Sequence, residues 1–231
     1  MTIEELSENC AKRGIVLTEE MKMQFLRYAD LLREWNEKMN LTAITEREEV
    51  MEKHFYDCLL PLSVIDKNAS ICDVGSGAGF PGLVWKIALP SCHMTLLEPT
   101  GKRCTFLKAV IDDLGLNGIE VVNERAEDFA TTHRQHFDVV TARAVANLQL
   151  LSELCVPLLK KGGVFVAMKG AKGQDEAEAA AHAMHELGCK LEEIMMEDLP
   201  SGDRVNLVYR KEADTPTKYP RNYGQMKKKP L

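Results

Sequence analysis

The run Asp73-Val74-Gly75-Ser76-Gly77-Ala78-Gly79-Phe80-Pro81-Gly82 constrains the fold of this chain more than any other feature. It follows a short apolar segment, Ser70–Val74, and leads into a helical one, Pro81–Leu89, with Pro81 suited to a first helical turn. Glycine tolerates positive φ and has no Cβ. The backbone can therefore turn sharply and come close to a ligand at the carboxyl end of a strand, where open α/β sheets bind their ligands. In this strand–loop–helix context the glycine cluster predicts a nucleotide-type site.

The rest of the chain fits that frame. From Ser70 onward, β-rich runs (Ser70–Val74, His93–Glu98, Ile119–Asn123, Phe137–Ala142, Gly163–Met168) alternate with helical ones (Pro81–Leu89, Lys102–Leu114, Leu148–Leu159). That alternation is the signature of a doubly wound, mainly parallel sheet. After an Ala-rich helix around Asp175–Leu187, two more strands, Lys190–Glu197 and Arg204–Arg210, flank a Pro200-Ser201-Gly202 turn, which predicts a C-terminal antiparallel hairpin and seven strands in all. Upstream, Phe25, Tyr28, Leu32, Trp35 and Met39 recur at helical spacing, and a second helix is expected over Glu46–Val64, opened by Thr45 with Glu48 in capping-box position. The expected organisation is a helical extension over 1–66, a Rossmann-like domain over 67–212 and a basic, solvated tail over 213–231.

Composition excludes several classes. No apolar run is long enough to span a bilayer and the first residues are acidic, so a cytoplasmic protein without membrane contact is expected. Seven scattered cysteines with no C-x-x-C pair argue against a bridged framework or a zinc site, so no metal is expected. The net charge of −6 gives no compositional support for a nucleic-acid partner. The stretch after Thr215 is the exception, with Lys218, Arg221, Lys227, Lys228 and Lys229 and no acid.

Acidic residues decide what the glycine loop binds. Glu98 ends the second strand, where a carboxylate can accept from both ribose hydroxyls of an adenosine, a placement that suits a dinucleotide or S-adenosylmethionine equally. Gly77, Gly79 and Gly82 spell G-x-G-x-x-G, which keeps an NAD(P)-dependent oxidoreductase open. Asp73 at the strand end suits a sulfonium or ammonium and would repel a diphosphate, and together with the hairpin and the missing second catalytic domain it favours the methyl donor. Arg125-Ala126-Glu127-Asp128 puts a carboxylate and an amide near the adenine, and Thr141-Ala142-Arg143-Ala144 sets Arg143 beside the expected methyl group, with Lys169 in a similar position after the fifth strand. His54 and Asp57 share one helical face and read as a packing pair rather than a catalytic dyad. The chain has neither the Asn/Asp-Pro-Pro-aromatic tetrad of amine methylation nor a Pro-Cys nucleophile, which leaves acceptors that are already nucleophilic, such as guanine N7.

Longer motifs point the same way: Asn40-Leu41-Thr42-Ala43-Ile44, His54-Phe55-Tyr56-Asp57-Cys58-Leu59, the glycine loop, Gly101-Lys102-Arg103, Arg125-Ala126-Glu127, Thr141 to Ala146, Ala167-Met168-Lys169-Gly170 and Lys218-Tyr219-Pro220-Arg221. In these the chain resembles the glucose-inhibited division protein B family of bacterial rRNA small subunit methyltransferases (methyltransferase G). The resemblance implies transfer of methyl from S-adenosylmethionine, leaving S-adenosylhomocysteine, to N7 of a guanine in the 530-loop region of 16S rRNA. It implies cofactor contacts at Gly75, Phe80, Ala126, Glu127 and Arg143, with the segment from Glu98 beside the adenosine. The chain departs from many members at Glu98, where they have Asp, and at Cys58, where they have Ser. Candidate contacts to 16S rRNA or the small ribosomal subunit are His54, Lys102, Arg103, Arg125, Lys169, Lys172 and Arg221, and a monomer is expected. A cofactor-binding regulator that docks on RNA without catalysis stays open at this point.

Overall fold

The computed structural model describes residues 1–231. Its centre is a seven-stranded sheet in the order β3-β2-β1-β4-β5-β7-β6, built from β1 (Ser70–Val74), β2 (His93–Leu97), β3 (Ile119–Val122), β4 (Phe137–Arg143), β5 (Leu159–Gly170), β6 (Cys189–Leu199) and β7 (Gly202–Lys211). β1 to β5 run parallel, and β7 enters antiparallel between β5 and β6. The chain reverses direction of strand order on leaving β3 and crosses to β4 on the far side of β1, so the carboxyl ends of β1 and β4 flank the switch point where such sheets bind ligands.

Helices cover both faces. One face packs on α1 (Ile3–Ala11), α2 (Glu19–Met39), the helical stretch 47–64, α5 (Gly82–Ala88) and α6 (Gly101–Asp113), through Phe25, Tyr28, Phe55, Trp85 and Phe106. The other packs on α7 (Ala126–Phe129), α8 (Leu148–Cys155), α9 (Gly173–Ala179), α10 (Ala181–Glu186) and α11 (Tyr223–Lys228), through Phe129, Leu151, Met184 and Met226. All seven cysteines are buried free thiols, and six of them are divided between these layers. No helix is long and apolar enough to cross a membrane.

Three expectations are corrected. The single helix over 46–64 is four pieces: α3 (Arg47–Val50), a π-helical turn (Met51–Tyr56), α4 (Asp57–Leu59) and a tight 3-10 end (Leu60–Val64). Its N-cap is Glu46 without a side-chain cap, so the Thr45 capping box does not form. Pro61 has no N–H to donate and tightens the last turn, while nothing in the apolar spacing marks the π turn. The hairpin strands and β5 are longer than their apolar cores suggest, because ladder pairing continues through polar residues such as Arg204–Gly170 and Asp198–Asp203. Finally, the C-terminal segment is not a solvated tail. Tyr219 and Met226 are buried, and Arg134 donates to the carbonyls of Thr215, Pro216 and Tyr219.

Candidate active site at the carboxyl rim of the sheet

The glycine loop folds as it does because the backbone has little alternative. Gly75, Gly77 and Gly79 take φ of 73°, 59° and 95°, values that L side chains rarely adopt. Gly75 N–H and Ser76 N–H both donate to Leu97 carbonyl, tying the loop to β2, and Ser76 Oγ donates to Asp73 carbonyl. A Cβ at Gly79 would meet Tyr28 Oη at 2.6 Å, and one at Gly82 would meet Leu96 Cδ2 at 2.3 Å, whereas a Cβ at Gly77 would find nothing closer than 3.8 Å. Of these three, two are required by packing and only Gly77 opens onto free space.

Both acids that frame the glycine loop, Asp73 and Glu98, are buried. Asp73 lies behind the loop rather than facing open solvent: its Oδ2 accepts from Gly82 N–H at 2.9 Å, and its Oδ1 is buried with no partner. Burial raises this carboxyl to about 7, against the opposing hydrogen bonds. Glu98, 1% exposed, accepts from Gly77 N–H and Thr100 N–H at 2.9 Å each, one per oxygen, so each oxygen keeps a lone pair. Arg103 stands 3.8 Å from it. At the neighbouring strand end Ala126 is buried at the start of α7, with Glu127 beside it and Arg125 exposed. Two buried carboxylates around a glycine turn, one with an orphaned oxygen, fit a ligand with a cationic end and disfavour a diphosphate. S-adenosylmethionine meets that requirement.

Beside the loop a cavity of about 620 Å³ opens at the carboxyl ends of β4 and β5, lined among others by Lys53, His54, Asp57, Arg143, Lys169 and Arg204. Arg143 is its hub. Its Nη1 donates to Asp57 Oδ2 at 2.9 Å and to Lys53 carbonyl at 3.3 Å, and its Nη2 lies 3.0 Å from His54 Nδ1. The guanidinium carbon sits 4.8 Å from the Phe80 ring centroid, on which the His54 ring also stacks at 4.3 Å. Arg204 holds the other oxygen of Asp57 at 3.1 Å. Nδ1 of His54 thus lies between Arg143 Nη2 and the Lys53 carbonyl, 3.1 Å away, and Nε2 lies 3.0 Å from Thr42 Oγ1. Burial and Arg143 hold the imidazole down to about 3, so it is neutral. Burial also pushes the Asp57 carboxyl up, opposed by its two arginines.

The structure therefore brings together Gly75, Gly77 and Glu98 in one cluster and His54, Phe80 and Arg143 in another, and turns the His54–Asp57 pair into two separate partners of Arg143. Lys169 is engaged: it is 7% exposed, bound to Glu176 at 2.8 Å and to Ala146 carbonyl. Arg221 does not line this cavity and forms a forked pair with Glu153 of α8. Both correct the expectation of free cations, for the same reason: a carboxylate waits on the adjacent helix. Lys102, Arg103, Arg125 and Lys172 are exposed. Arg204 and Thr42 escaped the sequence reading. Arg204 was reachable in principle, since an antiparallel β7 delivers its first residues to the rim where the parallel strands end. Thr42 carried only the Asn-Leu-Thr motif.

This strand order, with one antiparallel strand inserted, and a glycine loop backed by acids define a class I S-adenosylmethionine-dependent methyltransferase. Solved structures agree in fold. The chain superposes on M. jannaschii TYW2, solved in complex with AdoMet, with a TM-score of 0.54 at 16% identity, covering 64% of this chain and 71% of that one. A ribosomal protein L11 methylase from Lactobacillus delbrueckii subsp. bulgaricus gives 0.55 at 15% identity, covering 70% and 79%. Residues 21–203 match the family model for rRNA small subunit methyltransferase G. The chain is 46% identical over 238 residues to the ribosomal RNA small subunit methyltransferase G of Staphylococcus carnosus, covering 100% of this chain and 99% of the relative. It is 47% identical over 236 residues to that of Staphylococcus aureus strain Newman, with the same coverage. The chain belongs to the rRNA small subunit methyltransferase G family, and the oxidoreductase alternative is not favoured.

Proposed function

We propose that this methyltransferase modifies N7 of a guanine in the 530-loop region of 16S rRNA, acting as a monomer on the RNA or the small ribosomal subunit, without a metal. The observation that carries the reading is the Arg143-centred cavity directly beside the glycine loop. When bound, S-adenosylmethionine supplies a methyl group on a cationic sulfur. Gly75, Gly77 and Ala126 offer backbone, Asp73 faces the cationic end through its orphaned oxygen, Glu98 and Glu127 hold the adenosine, and Phe80 forms an apolar wall.

Guanine N7 carries its own lone pair, so no residue has to remove a proton, and a neutral His54 in the cavity fits that requirement. Arg143 spends three of its five N–H donors on Asp57, Lys53 and His54 and has donors left for guanine O6. Its role is orientation. Lys102, Arg103, Arg125 and Lys172 meet RNA phosphates in this reading, while Lys169 and Arg221 brace the protein. Mass spectrometry of digested small-subunit rRNA, from cells with and without the protein, tests the proposal. One 7-methylguanosine is expected to vanish on deletion and to return with the wild-type chain but not with Arg143→Ala; an unchanged 7-methylguanosine content refutes it.

A further inference from the structure

We propose that the C-terminal segment 221–231 is a docking surface for RNA phosphodiesters on the rim of the acceptor cavity. The inference rests on the rRNA reading above. Between Thr215 and Leu231 the chain has five Lys/Arg and no Asp/Glu, against a net charge of −6 overall. Like charges on a free tail would spread apart, but these are held in place. Met226 anchors α11 in the core, Arg221 is forked onto Glu153, and the carbonyl of Leu231 accepts from Gln149 Nε2 at 3.1 Å. The anchoring leaves Lys227, Lys228 and Lys229 exposed with no carboxylate in ion-pair range, and Arg221, Gln225, Lys228 and Lys229 line a cleft of about 420 Å³. Fixing unpaired cations side by side costs stability and concentrates positive potential, an arrangement that suits a polyanion.

Its position gives the partner. Arg125, whose guanidinium lies 5.8 Å from the Tyr223 ring centroid, and Gln149 sit at the starts of α7 and α8, which rise from the carboxyl ends of β3 and β4. Asn147, the cap of α8, lines the acceptor cavity. The lysines thus stand on the same rim as the cavity, on the sheet face opposite the helices that carry His54 and Asp57. An RNA strand entering the cavity would pass between the two. The segment also lies beyond residue 203, where the match to the family model ends.

The test is the full-length triple variant Lys227→Ala/Lys228→Ala/Lys229→Ala. It is measured by binding to a 16S rRNA transcript across a KCl series, by methylation kinetics, and by S-adenosylhomocysteine titration. With each phosphate contact contributing a slope of about 0.7 to 0.9, the log–log salt dependence should become shallower by about 2 and affinity near 0.1 M salt should fall about tenfold. KM for RNA should rise with kcat and cofactor affinity unchanged, the corresponding Lys→Arg triple should bind as wild type, and Lys228→Glu should weaken binding without loss of fold. Wild-type affinity and slope in the alanine triple would overturn the docking surface while leaving the proposed activity intact. A wild-type protein that binds S-adenosylhomocysteine but neither binds nor methylates the transcript or the small ribosomal subunit would overturn both.

Discussion

Asp73 and Arg143 show how single side chains set stability and chemistry against each other. Asp73 has its folded pKa raised to about 7, so the folded state keeps a proton that the unfolded chain gives up near 4. Stability from this group falls as pH rises from about 4 to 7 and is flat above, a penalty of the order of a few kcal/mol. Asp73→Asn keeps an acceptor for Gly82 N–H and removes the charge. In the cofactor-free protein its melting temperature should lie near wild type at pH 4 and exceed it at pH 8, while S-adenosylhomocysteine affinity drops. Equal melting curves at both pH values would show that Asp73 is not a buried charge. Arg143→Ala should abolish turnover, and because it leaves Asp57 buried with only Arg204, it should also cost about 3–5 kcal/mol. Adding Asp57→Asn should recover much of that stability and none of the activity, as read by denaturant unfolding alongside a methylation assay. From sequence, Arg143 could be put at the right strand end, but its network could not, because its partner Asp57, and Arg204 that shares Asp57, come from elements 86 and 61 residues away.

Elements were legible where one periodicity ruled. The parallel strands follow from short apolar runs, the glycine turn from the glycines directly after β1, and the hairpin from Pro200-Ser201-Gly202. The helical stretch 47–64 was legible as helix but not as a π turn, since the signal for widening is a tertiary one: Met51–Tyr56 meets both α2 and the end of β4. The four glycines looked equivalent in sequence and are not. Gly82→Ala forces a Cβ to within 2.3 Å of Leu96 in a packed core and should cost at least about 1–3 kcal/mol. Gly77→Ala meets only its left-handed backbone, a penalty of about 1–2 kcal/mol, and should weaken S-adenosylhomocysteine binding instead. Thermal denaturation and calorimetry on the two variants separate these roles; equal losses of cofactor affinity would mean that both glycines serve the ligand.

Over the whole molecule, the N-terminal helices finish the core that the sheet begins. Phe25, Tyr28 and Phe55 are fully buried and cover Trp85 and Phe80, Trp85 Nε1 donates to Cys58 carbonyl, and Tyr28 Oη donates to Ala78 carbonyl in the glycine loop. Arg13 reaches across to the far hairpin, pairing with Glu197 and Tyr56. We expect residues 67–231 alone to be insoluble or to bind the dye ANS as an open-cored species; a soluble, cooperatively unfolding fragment with cofactor affinity would contradict this. Sequence spacing announced that the extension is helical and one-faced, but not what it covers, because that depends on which sheet face its loops reach. The buried thiols on either side of the sheet provide a built-in chronometer. Cys10, Cys58 and Cys92 belong to the layer with the N-terminal helices, and Cys72, Cys155 and Cys189 to the layer beneath α8 and α10. Timed alkylation, resolved peptide by peptide, would therefore record which half of the protein breathes first and whether cofactor slows one half or both.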